Sequence, residues 1–138
     1  MNKIVKQTPD ELNWDVLASL GWSIVNGEKE MGHQLYEIRD AIGKVRAVDY
    51  GNPYAVAKAR GNLPMYSMNA TMAITLLQDV EYTVSKRFES TSQGVLRTVY
   101  YITIGNGLDY KGYDELASAI CQAYLHWRSA QVLSEVNS

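Results

Sequence analysis

Residues 82–104 read YTVSKRFESTSQGVLRTVYYITI, and how this stretch pairs decides the fold. The runs 82–89 and 95–104 are dense in β-branched and aromatic side chains, which suit a pleated, half-buried surface. Between them Ser90, Thr91, Ser92, Gln93 and Gly94 supply the small polar residues and the glycine of a turn. An antiparallel hairpin follows. A register centred on Ser92 sets Arg87 opposite Arg97 on the more polar face, with Thr83 opposite Tyr101 farther along. Like charges directly across a ladder repel, so an acidic group belongs near them. Two readings answer that need. Either Glu89, diagonal to Arg97, completes a solvated salt ladder, or the two guanidinium groups hold a bound anion such as a nucleotide phosphate.

Working outward, Pro64 to Asn69 form a rigid approach to the next helix upstream, which Ser67 or Asn69 caps and which is expected to reach Asp79. Before it, residues 35–39 and 45–50 flank Gly43-Lys44 with the alternation of half-exposed strands and predict another hairpin. Residues 54–60 are alanine-rich and have room for one helical turn or two, bounded by Gly51, Gly61 and Pro64. At the start, Thr8, Pro9 and Glu11 form a capping box with proline in the first helical position, predicting a helix over 9–20 that Gly21 ends. A short strand at 22–25 follows it, and 26–32 is a polar segment. Downstream, Gly105-Asn106-Gly107 breaks the second strand and Lys111-Gly112 makes a turn. A final helix then runs from Tyr113 or Asp114 to near Val132, with Leu116, Ile120, Ala123 and Trp127 as its apolar stripe. The tail 134–138 is expected to fray.

The expected architecture is therefore α+β, an antiparallel-rich sheet packed between helices as an α-β-α sandwich, in a single domain spanning 1–138. A chain of 138 residues with 46% apolar and 20% charged residues is suited to one buried core. Its 13 basic and 15 acidic residues leave a net charge of −2, which argues against non-specific nucleic-acid binding. No apolar stretch has the length of a signal peptide or membrane span, and a single cysteine excludes an internal disulfide, so a cytoplasmic location is expected. Ten tyrosines against one phenylalanine place some rings at edges, where a hydroxyl keeps its water.

Chemical motifs are sparse. His33 and His126 lack metal-ligand spacing with Cys121, and neither a metal nor another cofactor is expected. Cys121 falls beside the apolar stripe of the last helix, where a thiol normally packs. No nucleophile elbow, Walker lysine or deaminase signature occurs, and the chain is read as no enzyme. Gly105 and Gly107 have the small residues of a phosphate loop, but Asp109 brings a negative charge, and a plain strand-to-helix connection is favoured. Arg60, ahead of Gly61 and Pro64, is placed to reach a ligand at the start of the Asn69 helix, where Tyr66 offers a stacking surface. The alternative for Tyr66 and Pro64 is to brace the loop on the sheet.

Three blocks resemble the phage ABA-sandwich domain family. They are the leading helix from Leu12 through Ala18 to Gly21-Trp22, the segment Pro64 to Asn69, and the closing helix from Leu116 to Ala123. The family often has aspartate in the place of Asn69 and arginine in the place of Gln122. The resemblance implies a sheet between helical layers and a phage or prophage source, and it implies no reaction. With the paired arginines and the tyrosines, it leads to the expectation of a phage-encoded, homo-oligomeric binding protein. Such a protein would sequester a host nucleotide immune signal in counter-defence, with Arg60, Tyr66, Ser67, Asn69, Arg87, Arg97 and Tyr101 as candidate ligand residues. The alternative is an inhibitor or adaptor that binds a host protein.

Overall fold

The computed structural model describes residues 7–105 and 108–136. It is α+β, with four α-helices and two three-stranded antiparallel sheets, so the antiparallel, helix-packed class expected from the sequence holds. The chain divides into two compact units, residues 16–64 and residues 1–15 with 65–138.

Helix α1, Pro9–Ser19, runs through the point of division. The capping box forms as expected, with the Glu11 N–H donated to Thr8 Oγ1 at 3.1 Å and the Thr8 N–H to Glu11 Oε1 at 3.3 Å. Gly21, at φ +101°, ends it: the Trp22 N–H reaches the Leu17 carbonyl and the Gly21 N–H that of Ala18, which closes a Schellman motif.

In the unit 16–64, strands β1 (Ser23–Glu30), β2 (His33–Arg39) and β3 (Val45–Asp49) form a sheet in sequence order, and α2 (Pro53–Ala59) packs on β2 and β3. β1 runs well past residue 25, through what the sequence suggested was a polar segment, because Met31 and Gly32 both take positive φ and close a tight hairpin. Asp40 shapes the next turn. Its carboxylate accepts from the N–H groups of Ile42 and Lys44 and from Arg46 Nε, at 3.1, 2.9 and 2.9 Å. The Arg46 guanidinium also lies 5.4 Å from the Trp22 ring centroid. Asn52 caps α2 by accepting from the Ala55 N–H, and Val16, Leu17, Ile38, Ala47, Ala57 and Leu63 make up this unit's buried apolar set.

In the other unit, β4 (Tyr82–Ser90), β5 (Leu96–Ile104) and β6 (Leu108–Tyr113) form the second sheet with β5 central, and α4 (Leu116–Val136) packs on β5 and β6. The 3-10 turn Tyr66–Met68 and α3 (Ala70–Ile74) rest on α4. Asn69, rather than Ser67, caps α3 by accepting from the Met72 N–H at 3.1 Å. The helix expected to reach Asp79 tightens to a 3-10 turn at Thr75–Leu77, where the Thr75 hydroxyl donates to the Met72 carbonyl at 2.6 Å and competes with regular helix geometry.

β6 replaces the expected turn at Lys111-Gly112 and the expected strand-to-helix connection after Gly105, so the Gly105 turn joins two strands. Gly107 lies outside the described residues. The last helix starts at Leu116 because Asp114, at φ 67°, interrupts the chain after β6. Its backbone stays helical to Val136, through part of the segment expected to fray, and residues 137–138 lie outside the described set.

Candidate functional site

The β4–β5 register differs from the one centred on Ser92. Glu89 stands opposite Arg97, Arg87 opposite Val99, Ser85 opposite Tyr101 and Thr83 opposite Thr103. The turn explains the shift. The Thr91 N–H is donated to the Val95 carbonyl at 2.8 Å, and the Thr91 hydroxyl accepts from the Gln93 and Val95 N–H groups. With Gly94 at φ +78°, the loop closes about Gln93, one residue later than expected. Arg87 and Arg97 are thus not cross-strand partners, and the charge opposite Arg97 is the complementary one.

Both arginines nevertheless share a sheet face, since residues paired across a ladder and their i±2 neighbours point the same way. The odd-numbered residues of the three strands form this face. The even-numbered face receives α4, for Gly112 lies against Ala119 and the Tyr110 hydroxyl donates to Gln122 Oε1.

On the odd face Arg87, Glu89, Arg97, Tyr101, Lys111 and Tyr113 form one cluster. Tyr101 donates its hydroxyl to Glu89 Oε1, and Lys111 Nζ lies 3.0 Å from Glu89 Oε2. The Tyr101 hydrogen bond, then that of Lys111, hold the Glu89 carboxyl below its ordinary value. Glu89 in turn pushes the Lys111 ammonium up. Arg97 pairs with Asp114 at 2.9 Å and lies 4.0 Å from the Tyr113 ring centroid. Arg87 stacks over Tyr101 at 5.1 Å and makes no ion pair among the described residues. Val99, between Arg87 and Tyr113 in the register, has no exposed surface. Long side chains flank it on every side, the way amphipathic stems shield an apolar residue. On this face the three cations Arg87, Arg97 and Lys111 are matched in number by the carboxylates of Glu89, Asp109 and Asp114, and Arg87 is the least engaged of the charges.

The other candidates lie elsewhere. Ser67 is buried. Its hydroxyl donates to the Pro9 carbonyl at 2.7 Å and its N–H to Asn13 Oδ1 at 3.3 Å, which ties the 3-10 turn to α1. Tyr66 is partly buried, and desolvation raises its phenol, with Tyr124 and Cys121 nearby. Asn69 is occupied as the α3 cap. Since the Tyr66–Met68 turn packs on α4 and α4 on the even face, these three residues are separated from the arginine cluster by the sheet itself. Arg60, exposed at the end of α2, belongs to the unit 16–64. Lys111, Tyr113 and Asp114 join the cluster unforeseen. The alternation of Asp109, Lys111 and Tyr113 was the available signal, and Gly112 obscured it by suggesting a turn.

Cys121 is fully buried, and burial pushes its thiol up to about 12. A thiol reagent at pH 8 is expected to leave the native protein unlabelled and to react once it is unfolded in urea, as followed by intact mass. Rapid native labelling would contradict this burial. Among the described residues no group of three His, Cys, Asp or Glu is placed to hold a metal ion, and no helix is long and apolar enough to cross a membrane.

No family model matches the chain, and neither does a curated protein or a solved structure.

Proposed function

We propose that this is a binding protein that works without turnover, and that the odd face of the β4–β5–β6 sheet takes an anionic ligand of the nucleotide type. The observation that carries this reading is Arg87. Its guanidinium is exposed, stacked on the Tyr101 ring and without an ion-pair partner among the described residues, on a face that also carries Arg97 and Lys111. A guanidinium offers a phosphate two parallel N–H donors, and neighbouring phenol rings give a base a surface to stack on. In the phage setting that the sequence resemblance implies, such binding would withdraw a host nucleotide signal, and an intact ligand would be recovered on denaturation.

The test is calorimetric titration with a nucleoside triphosphate and a cyclic dinucleotide as probes, on wild type and on the Arg87→Ala/Arg97→Ala double variant. The variant is expected to lose about tenfold or more in affinity per guanidinium that contacts phosphate, with an unchanged circular dichroism spectrum. Equal affinity in the two proteins, or no binding of either probe by wild type, would overturn the assignment. Mass spectrometry of the protein and probe after denaturation separates binding from turnover.

A further inference from the structure

β4 is an edge strand of nine residues, and the only phenylalanine in the chain, Phe88, lies on it with 65% of its surface exposed. Leu96, diagonal to it on the same even face, is 67% exposed, and Val95 beside the turn is 59% exposed. An edge of this length presents unpaired N–H and C=O groups, which pair with another strand unless its side chains forbid it.

We infer that β4 is a self-pairing edge whose partner is β4 of a second copy of this chain, antiparallel and centred on Phe88. The charges and the exposed Phe88 ring together select this register. In a two-fold antiparallel pair, residues directly opposite share a face and their numbers sum to an even constant. A pair centred on Lys86, the middle of the strand, sets lysine against lysine, and one centred on Arg87 sets arginine against arginine. Centring on Ser85 brings Glu89 opposite Glu81 of the second copy. Each of these puts like charges directly across the ladder, which is destabilising. Centring on Phe88 sets Arg87 opposite Glu89 twice and Lys86 opposite Ser90 twice, and it stacks the two exposed phenyl rings across the axis. The charges along β4 thus guard it against the registers centred on Ser85, Lys86 and Arg87, while one centred on Val84 is free of like pairs but puts a half-buried valine on the axis and leaves the exposed Phe88 uncovered. Joined in this way, the two sheets become one of six strands.

Position 88 on the axis makes a direct test possible. Cα atoms directly opposite in an antiparallel pair lie about 4.5–5.5 Å apart, inside the range of a disulfide, whereas those displaced by two residues do not. Phe88→Cys is expected to form a disulfide-linked dimer under mild oxidation, much faster than Arg87→Cys or Glu89→Cys does. The buried Cys121 stays silent. Sedimentation of the wild type from micromolar to millimolar concentration is expected to show a mass approaching twice 15.5 kDa.

Two charge variants guard against a mere loss of fold. Arg87→Glu and Glu89→Arg each set like charges across the axis and are expected to be monomeric alone, with the dimer constant weakened about tenfold or more. Mixed in equal amounts, they are expected to form the heterodimer. A wild type monomeric at every concentration, equal crosslinking at positions 87, 88 and 89, or failure of the mixture to associate would each overturn the inference. Because this pairing sets Arg87 across from Glu89 of the second copy, self-association and anion binding compete for Arg87, and a mass readout taken without ligand keeps failure of the one distinguishable from failure of the other.

Discussion

Replacing Gly112 by alanine is expected to lower the unfolding free energy by about 1–3 kcal/mol, and valine by more, because both overpack a closed contact. Gly112 is buried near the end of β6, where α4 crosses the even face. A Cβ placed there would overlap the Cβ of Ala119 and lie 3.1 Å from its Cα and 3.3 Å from Tyr110 Cε1. Two of these neighbours are fixed to a helix backbone, so relief requires α4 to move off the sheet rather than one side chain to turn. Ala119, Ile120 and Ala123 are buried on α4, and such a shift loosens all three. The loss corresponds to roughly 3–5 °C of melting temperature per kcal/mol in a chain of this size. Ala119→Gly in the same chain removes the overlapping atom, and the two substitutions are expected to be non-additive in urea unfolding. A melting temperature for Gly112→Ala within a degree or so of wild type would refute the close approach.

Asn13→Ala is expected to cost about 2–4 kcal/mol, the sum of an orphaned N–H and a small cavity. Asn13 has no exposed surface, which is uncommon for its type and is explained by its partners. Its carbonyl oxygen accepts from the Ser67 N–H at 3.3 Å, and its Nδ2 contacts Met65 Sδ at 3.5 Å. Ser67 is itself buried, with its hydroxyl on the Pro9 carbonyl and its own carbonyl 3.5 Å from the Ser118 hydroxyl, a link to α4. Truncating Asn13 leaves a buried donor that water cannot reach. Ser67→Ala, which loses the single hydroxyl bond to Pro9, is expected to cost only about 1 kcal/mol. Urea unfolding with an unchanged denaturant slope measures both, and an Asn13→Ala loss below about 0.5 kcal/mol would show that the pair contributes little.

What the chain made legible was its local chemistry. Thr8, Pro9 and Glu11 build the capping box they suggest, Gly21 ends α1, and the β-branched runs around residue 92 become β4 and β5. Pairing was less accessible, because register depends on which turn residue supplies the closing hydrogen bonds. The Thr91 hydroxyl decided that at β4–β5, and moving the turn centre by one residue shifted the register by two and changed the partner of Arg97 from arginine to Glu89.

β6 was hidden for a different reason. Gly112 suggests a turn by its identity, but its role is steric, a place without a side chain where α4 passes close. Losing β6 removed Lys111 and Tyr113 from view, and with them a third of the cluster. Met31 concealed the length of β1 in the same way, since a non-glycine residue at φ 50° carries little turn signal. Arg87, Arg97 and Tyr101 were legible as one polar face because period-two alternation fixes the face even when register is off by two. Ser67 shows the converse. A serine beside a helix start resembles a cap, and only the packed structure reveals that its hydroxyl is spent on Pro9.

The most direct measurement of the proposed function is a two-dimensional NMR titration of the protein with a cyclic dinucleotide, assigned at the backbone of β4, β5 and β6. Saturable shifts concentrated at Arg87, Tyr101, Lys111 and Tyr113, and abolished by the Arg87→Ala/Arg97→Ala substitution, are the expected result. Saturable shifts centred instead on Tyr66, Asn69 or Arg60, or none at all with this probe or a nucleoside triphosphate, would contradict assignment of the odd face as the ligand site.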